Sequence, residues 1–148
     1  MNVHMEHAEA DIFDVLAARR MNESDLRNRA YSVAHAIAEP RLRSAAARLS
    51  GTAIADAALD MQVIPGAHDV RLDLFVNLHL TGDLMLRSRV SVSSLDAVQP
   101  IVENPWFVAT CRNCGYQHQS AAATSQSLAW LHVALRSCSC GCGLAVAA

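Results

Sequence analysis

The chain has 148 residues, 12 basic and 14 acidic side chains, and a hydrophobic content of 52%. That is long enough to bury a core, and the near-neutral balance excludes a globally polybasic or polyacidic protein. No apolar run approaches the roughly 20 residues that cross a bilayer, and Glu6, Glu9, Asp11 and Asp14 occupy the place where an export signal has a basic start, so a soluble, cytoplasmic protein without membrane contact is expected.

Charge is unevenly placed within this balance. Residues 1–18 hold four acids and no base, whereas residues 19–48 hold seven of the twelve arginines; the chain has no lysine. Such a block is either a set of solvated helix faces or an electrostatic footprint for a polyanion.

In chain order, Ala8 to Arg20 reads as a helix, with Ile12, Phe13 and Leu16 on one face. Asn22 or Ser24 caps the next, in which Leu26, Ala30, Val33 and Ile37 recur at helical spacing. Pro40 is expected to end it, because a proline pushes the preceding residue out of the helical region. Leu42, Ala46 and Leu49 give a third helix, Gly51 interrupts, and Thr52 caps a short fourth segment through about Met61. The first sixty residues are thus expected to form a small-residue-rich helical bundle.

The period changes after Pro65 and Gly66. Val70, Leu72, Leu74, Val76, Leu78 and Leu80 alternate with Arg71, Asp73, Phe75, Asn77 and His79, then Thr81, Gly82 and Asp83 supply a turn, and Leu84, Leu86, Ser88, Val90 and Val92 resume the alternation. Strict alternation predicts a half-buried hairpin that needs a helical cover. The expected fold class is therefore α+β: an N-terminal helical bundle packed on a β-hairpin within residues 1–95, a linker over 96–105 containing Pro100 and Pro105, and a small C-terminal module over 106–148. Long regular strands also make self-association through their edges an expectation.

The most specific chemistry lies in that module. Trp106 to Thr110 reads as a strand leading into Cys111-Arg112-Asn113-Cys114-Gly115, a helix is predicted from about Ala121 to Arg136, and Cys138, Cys140 and Cys142 follow. Two cysteines separated by two residues and followed by glycine form a turn that presents both thiolates to one tetrahedral ion. Five cysteines in a reducing compartment favour metal or redox work over structural disulfides. The third and fourth ligands are either His132 with Cys138, or an all-cysteine set in which Cys138 with Cys140, or Cys140 with Cys142, completes the shell. Zn2+ suits either.

Residues 106–138 resemble a Cys-Cys-His-Cys version of the ββα zinc finger, and the small zinc-ribbon-like modules of actinobacterial and phage proteins that read tryptophan, Cys-x2-Cys-Gly-aromatic, alanine-rich helix, histidine, cysteine. The resemblance implies Cys111, Cys114, His132 and Cys138 as ligands and a phage-encoded accessory role within a larger assembly.

Catalytic readings fit less well. A thioredoxin-like pair has its first cysteine at a helix start, whereas Gly115 and a polar loop follow this pair. His4-Met5-Glu6 matches half of a zinc-deaminase signature, but Thr110 stands where that signature has proline. No phosphate loop or nucleophile elbow is present. The expected function is that of a non-catalytic zinc-binding interaction protein with a protein partner. The alternative is a nucleic-acid-binding regulator that uses Arg27, Arg29, Arg41 and Arg43 together with the zinc module.

Overall fold

The computed structural model describes residues 22–50, 57–65, 71–81 and 83–138. The segment expected to form the first helix, Ala8 to Arg20, lies outside the described residues.

The N-terminal part is not a bundle. It is one helical rod: α1 (Glu23–Val33), a π-helical turn (Ala34–Ala38) and α2 (Glu39–Ser50) run on without a break. Asn22 caps it, its side-chain oxygen accepting from the Asp25 N–H at 2.8 Å. Pro40 does not stop the rod, and the π turn is the physical reason. An α-helix breaks at proline because the ring lacks an N–H and collides with the carbonyl four residues back. Here the chain widens just before the proline, the Glu39 N–H bonding to the Ala34 carbonyl five residues back while Glu39 itself stays helical at φ −57°, ψ −49°.

The wide turn also sets which face is buried. Steps of four residues overshoot an α-helical turn, so a row spaced by four drifts around the rod; the π turn removes part of that drift. Ala30, Ala34, Ala38 and Leu42 accordingly share one fully buried line, extended by Leu26, Ala45 and Ala46, whereas Val33 and Ile37 are only partly buried. Alanines along this line let the rod lie close to the sheet.

Beneath the rod is a six-stranded antiparallel sheet, not an isolated hairpin. Its strands are β1 (Leu59–Val63), β2 (Arg71–Thr81), β3 (Leu84–Ser93), β4 (Ile101–Val102), β5 (Trp106–Thr110) and β6 (Gln117–Gln119). The spatial order is β1-β2-β3-β5-β6, with β4 pairing beside β5 on β3. β2 and β3 pair in register Leu72↔Val92, Leu74↔Val90 and Leu78↔Leu86, so the alternating apolar residues fall on one face beneath the rod. β1 corrects the expected fourth helical segment: residues 59–61 are strand, and 51–56 lie outside the described residues. Leu59 and Met61 alternate with Asp60 and Gln62, a period of two that places the apolar pair opposite Leu78 and Val76.

β5 hydrogen-bonds to β3, Leu86 opposite Phe107, so the strand before the cysteine pair extends the same sheet. The last helix, α3 (Ser125–Arg136), is capped by Thr124, whose side chain accepts from the Ser127 N–H at 3.0 Å. Its Leu131 joins Phe107, Leu86 and the rod residues in one continuous core. Among the described residues no helix is long and apolar enough to cross a membrane.

Candidate metal centre

The metal-ligating side chains gather where β5 ends. Cys111 follows Thr110 directly, and its N–H bonds to the Tyr116 carbonyl at 2.9 Å, opening the β5–β6 hairpin. Within that loop the Gly115 N–H returns to the Cys111 carbonyl at 2.9 Å, and the Cys114 N–H donates to Cys111 Sγ at 3.5 Å. Gly115 has φ +77°, a left-handed conformation that costs other residues energy. The sequence Cys-x2-Cys-Gly thus folds into a tight turn that points two thiols the same way.

The third thiol arrives from α3. The helix closes on Ser137, whose N–H bonds to the Val133 and Ala134 carbonyls at 3.1 and 3.2 Å, and Cys138 stands one residue beyond. Cys138 Sγ lies 3.6 Å from Cys114 Sγ, and the three sulfurs of Cys111, Cys114 and Cys138 all lie within 4.8 Å of one another. Cys111 and Cys138 are buried and Cys114 is exposed.

This arrangement can hold a metal ion. As thiolates, three such sulfurs beside the C-terminal end of a helix would repel one another, and a bound cation would convert that repulsion into attraction. The nearby arginine does not serve this purpose, since Arg112 is paired with Asp83.

Not all expected ligands come together. His132 is exposed on α3 and is not part of the three-sulfur group, which among the described residues contains cysteines alone. Helical geometry explains this: Leu131 faces the core, and the next position is turned about 100° away toward solvent. Cys140 and Cys142 lie outside the described residues.

The arginines weighed for nucleic-acid contact have intramolecular engagements. Arg27 reaches Glu23 at 3.7 Å on the exposed side of α1. Arg29 donates to the carbonyls of Ser93, Leu95 and Val98 at 3.3, 3.4 and 3.1 Å, clamping the chain after β3 to the rod. Arg41 donates to the Val102 carbonyl at 3.3 Å, while Arg43 bonds Glu39 at 3.2 Å and the Ala57 carbonyl at 3.3 Å. Glu39 also accepts from His35, and that bond, with Arg43 beside it, holds its carboxyl below the ordinary value against the opposing effect of burial.

A second polar assembly, which the sequence reading did not single out, lies on the sheet face turned away from the helices. Asp73 accepts from Arg71 at 2.8 Å and Arg89 at 2.9 Å. Burial alone would raise its pKa, but these donors and Ser91 outweigh burial and hold it well below the usual carboxylate range. Further along, Asp60 pairs with His79 and accepts from Asn77 Nδ2 at 2.8 Å, and these bonds likewise lower its pKa against burial. Asn77 Oδ1 in turn accepts from Arg87 Nε at 2.8 Å. Arg87 stacks over Phe75, Cζ 4.2 Å from the ring centroid, and Phe75 meets Trp106 edge-on at 6.3 Å. The signal in the sequence is the odd-numbered set of β2, where Asp73, Asn77 and His79 alternate with the core residues.

Comparison with protein-family models, with curated proteins and with solved structures finds no match to this chain, so the resemblance of residues 106–138 to zinc-ribbon-like modules rests on the cysteines themselves.

Proposed function

We propose that the protein is a non-catalytic, zinc-binding interaction protein in which the metal fastens α3 to the β5–β6 hairpin. The convergence of Cys111, Cys114 and Cys138 from two separate elements carries this reading. Zinc accounts for the geometry: with metal–sulfur bonds of about 2.3 Å, a tetrahedron has sulfur–sulfur edges of about 3.8 Å. The 3.6 Å between Cys114 and Cys138 is close to that edge and far from the roughly 2.05 Å of a disulfide. A fourth thiolate from Cys140 or Cys142, two and four residues beyond Cys138 in the chain, would complete the shell. An all-thiolate shell leaves no coordination site open to water, which is why the reading is structural rather than hydrolytic.

The metal would hold in place a helix with a sparse interface, since Leu131 is the one fully buried residue of α3. What that helix then offers is an apolar outer face: Trp130 is 56% and Val133 58% exposed, three residues apart, and Tyr116 beside the cysteine loop is 63% exposed. Large apolar side chains on one helix face are the usual material of protein-binding surfaces. The direct test compares what the zinc-loaded full chain and its Trp130→Asp and Val133→Asp variants retain from a native host extract. A partner held by the wild type and lost from both variants, and from chelator-treated protein, supports the reading. Repeated recovery of the chain alone, or a partner indifferent to all three changes, contradicts it.

A further inference from the structure

The sheet face turned away from the helices contains a cavity of about 220 Å³. Gln62 of β1 and Gln117 of β6 both line it, although these strands are the opposite edges of the sheet, so the sheet curls across this face. Phe75 and Arg87 line it, and the chain from Val63 through Ile64 to Pro65 forms one wall, with Val63 itself opposite the helix-side Leu74.

Arg87 is the unusual member. It is 4% exposed, yet among the described residues it forms no ion pair, and its one hydrogen bond there is from Nε to Asn77. Other arginines of this face are compensated: Arg71 and Arg89 share Asp73. Asp60 offsets part of the cost of this nearly buried cation, but it acts across Asn77 without a direct ion pair, and an anion that enters beside the guanidinium relieves the rest. The side chain is also held ready. Asn77 is fixed by Asp60 and by Gln62 at 3.4 Å, it grips Nε, and the Phe75 ring supports the guanidinium plane. This restraint falls on one edge of the guanidinium and leaves the terminal amino groups as a fork for a planar carboxylate.

We propose that this cavity binds a small monocarboxylate: a carboxylate group gripped by Arg87, on a compact apolar body packed against Phe75, Ile64 and Pro65. One cation selects a monoanion, and Asp60, bonded to the far side of Asn77, disfavours a doubly charged group. The cavity is smaller than the roughly 300–1,000 Å³ that accommodates drug-sized molecules, so the ligand has on the order of ten heavy atoms. Gln62 and Gln117 supply amide donors and acceptors at the rim. None of its lining residues is one of the three clustered cysteines.

The test is a titration of the full-length, zinc-loaded protein with benzoate, followed by two-dimensional NMR, with benzyl alcohol as the neutral counterpart and inorganic phosphate as the bare anion. The expected result is saturable benzoate binding that moves the Arg87 Nε–H and the Gln62 and Ile64 amides, at least tenfold tighter than benzyl alcohol or phosphate. Arg87→Gln should weaken it at least tenfold. Because Arg87 is buried and its loss could unfold the face, Gln117→Trp provides the second variant: Gln117 is exposed, and the larger ring obstructs the cavity while leaving Arg87, Asn77 and Phe75 unsubstituted. The proposal is overturned if benzoate does not saturate, if benzyl alcohol or phosphate binds equally well, or if folded Gln117→Trp binds benzoate unchanged.

Discussion

Replacing Asp73 by Asn tests the electrostatics of the outer sheet face with a defined pH signature. The Asp73 carboxylate is 13% exposed and accepts from Arg71 and Arg89, which are 54% and 35% exposed. A salt-bridged carboxylate held well below its unfolded value contributes on the order of 2–3 kcal/mol at neutral pH. Water screens both arginines, so roughly half of that, about 1–2 kcal/mol, is the expected loss in Asp73→Asn. The folded pKa is the depressed one, so the stabilisation is complete above about pH 5 and declines as pH falls through the unfolded value of about 3.9. By about pH 3 the unfolded chain has taken up its proton while folded Asp73 has not, which removes about 1 kcal/mol of the difference. Urea denaturation of wild type and variant at about pH 6 and about pH 3 measures this; the comparison at equal pH cancels the loss of thiolate ligands that acid causes in both proteins. A difference between the two proteins that is the same at both pH values to within about 0.3 kcal/mol would refute the assignment.

Other consequences are equally specific. Leu131→Ala, at a position 1% exposed beneath α3, is expected to cost about 2–4 kcal/mol in urea denaturation. Gly115→Ala has no neighbour within 4 Å to clash with, so its cost is backbone strain alone, about 1 kcal/mol, read as a lower thermal midpoint. Gly115→Asn should recover part of it, since asparagine tolerates the left-handed region. Arg29→Met removes the donor to three carbonyls and should cost about 1 kcal/mol, with faster amide exchange across residues 93–98 as its local readout.

The strands with strict alternation were legible because burial on one face dictates period two. β2 and β3 follow the pattern of Leu72 to Leu78 and Leu86 to Val92, and the register places Leu72, Leu74, Val76, Leu78, Leu86, Val90 and Val92 on the helix side while Phe75 falls on the other face. The rod was harder to read. Its proline is a local stop signal, and only the π turn, which no residue type announces, shows how the helix passes it. β1 was hidden because an alanine-rich approach suggests helix, whereas tertiary pairing with β2 decided the outcome. β6 is only three residues, Gln117–Gln119, too short for periodicity to register. At the metal centre, the pair Cys111 and Cys114 is local and was visible as a motif; Cys138 was identified by its position after the α3 pattern. His132 shared the leucine spacing of that helix, but the facing of α3 turned it outward. The Arg87 cavity joins residues from opposite sheet edges, a proximity that depends on sheet curl and leaves no trace in linear spacing.

The central claim is that three cysteines from two elements hold one zinc. Metal content and thiol titration, measured together on protein purified without added metal, test it most directly, in wild type and in the Cys114→Ser, Cys138→Ser and His132→Ala variants. The account predicts one zinc per chain in the wild type and in His132→Ala, and its loss in both serine variants. Absence of metal from the wild type, or its retention after Cys138→Ser with loss after His132→Ala, would contradict the site described.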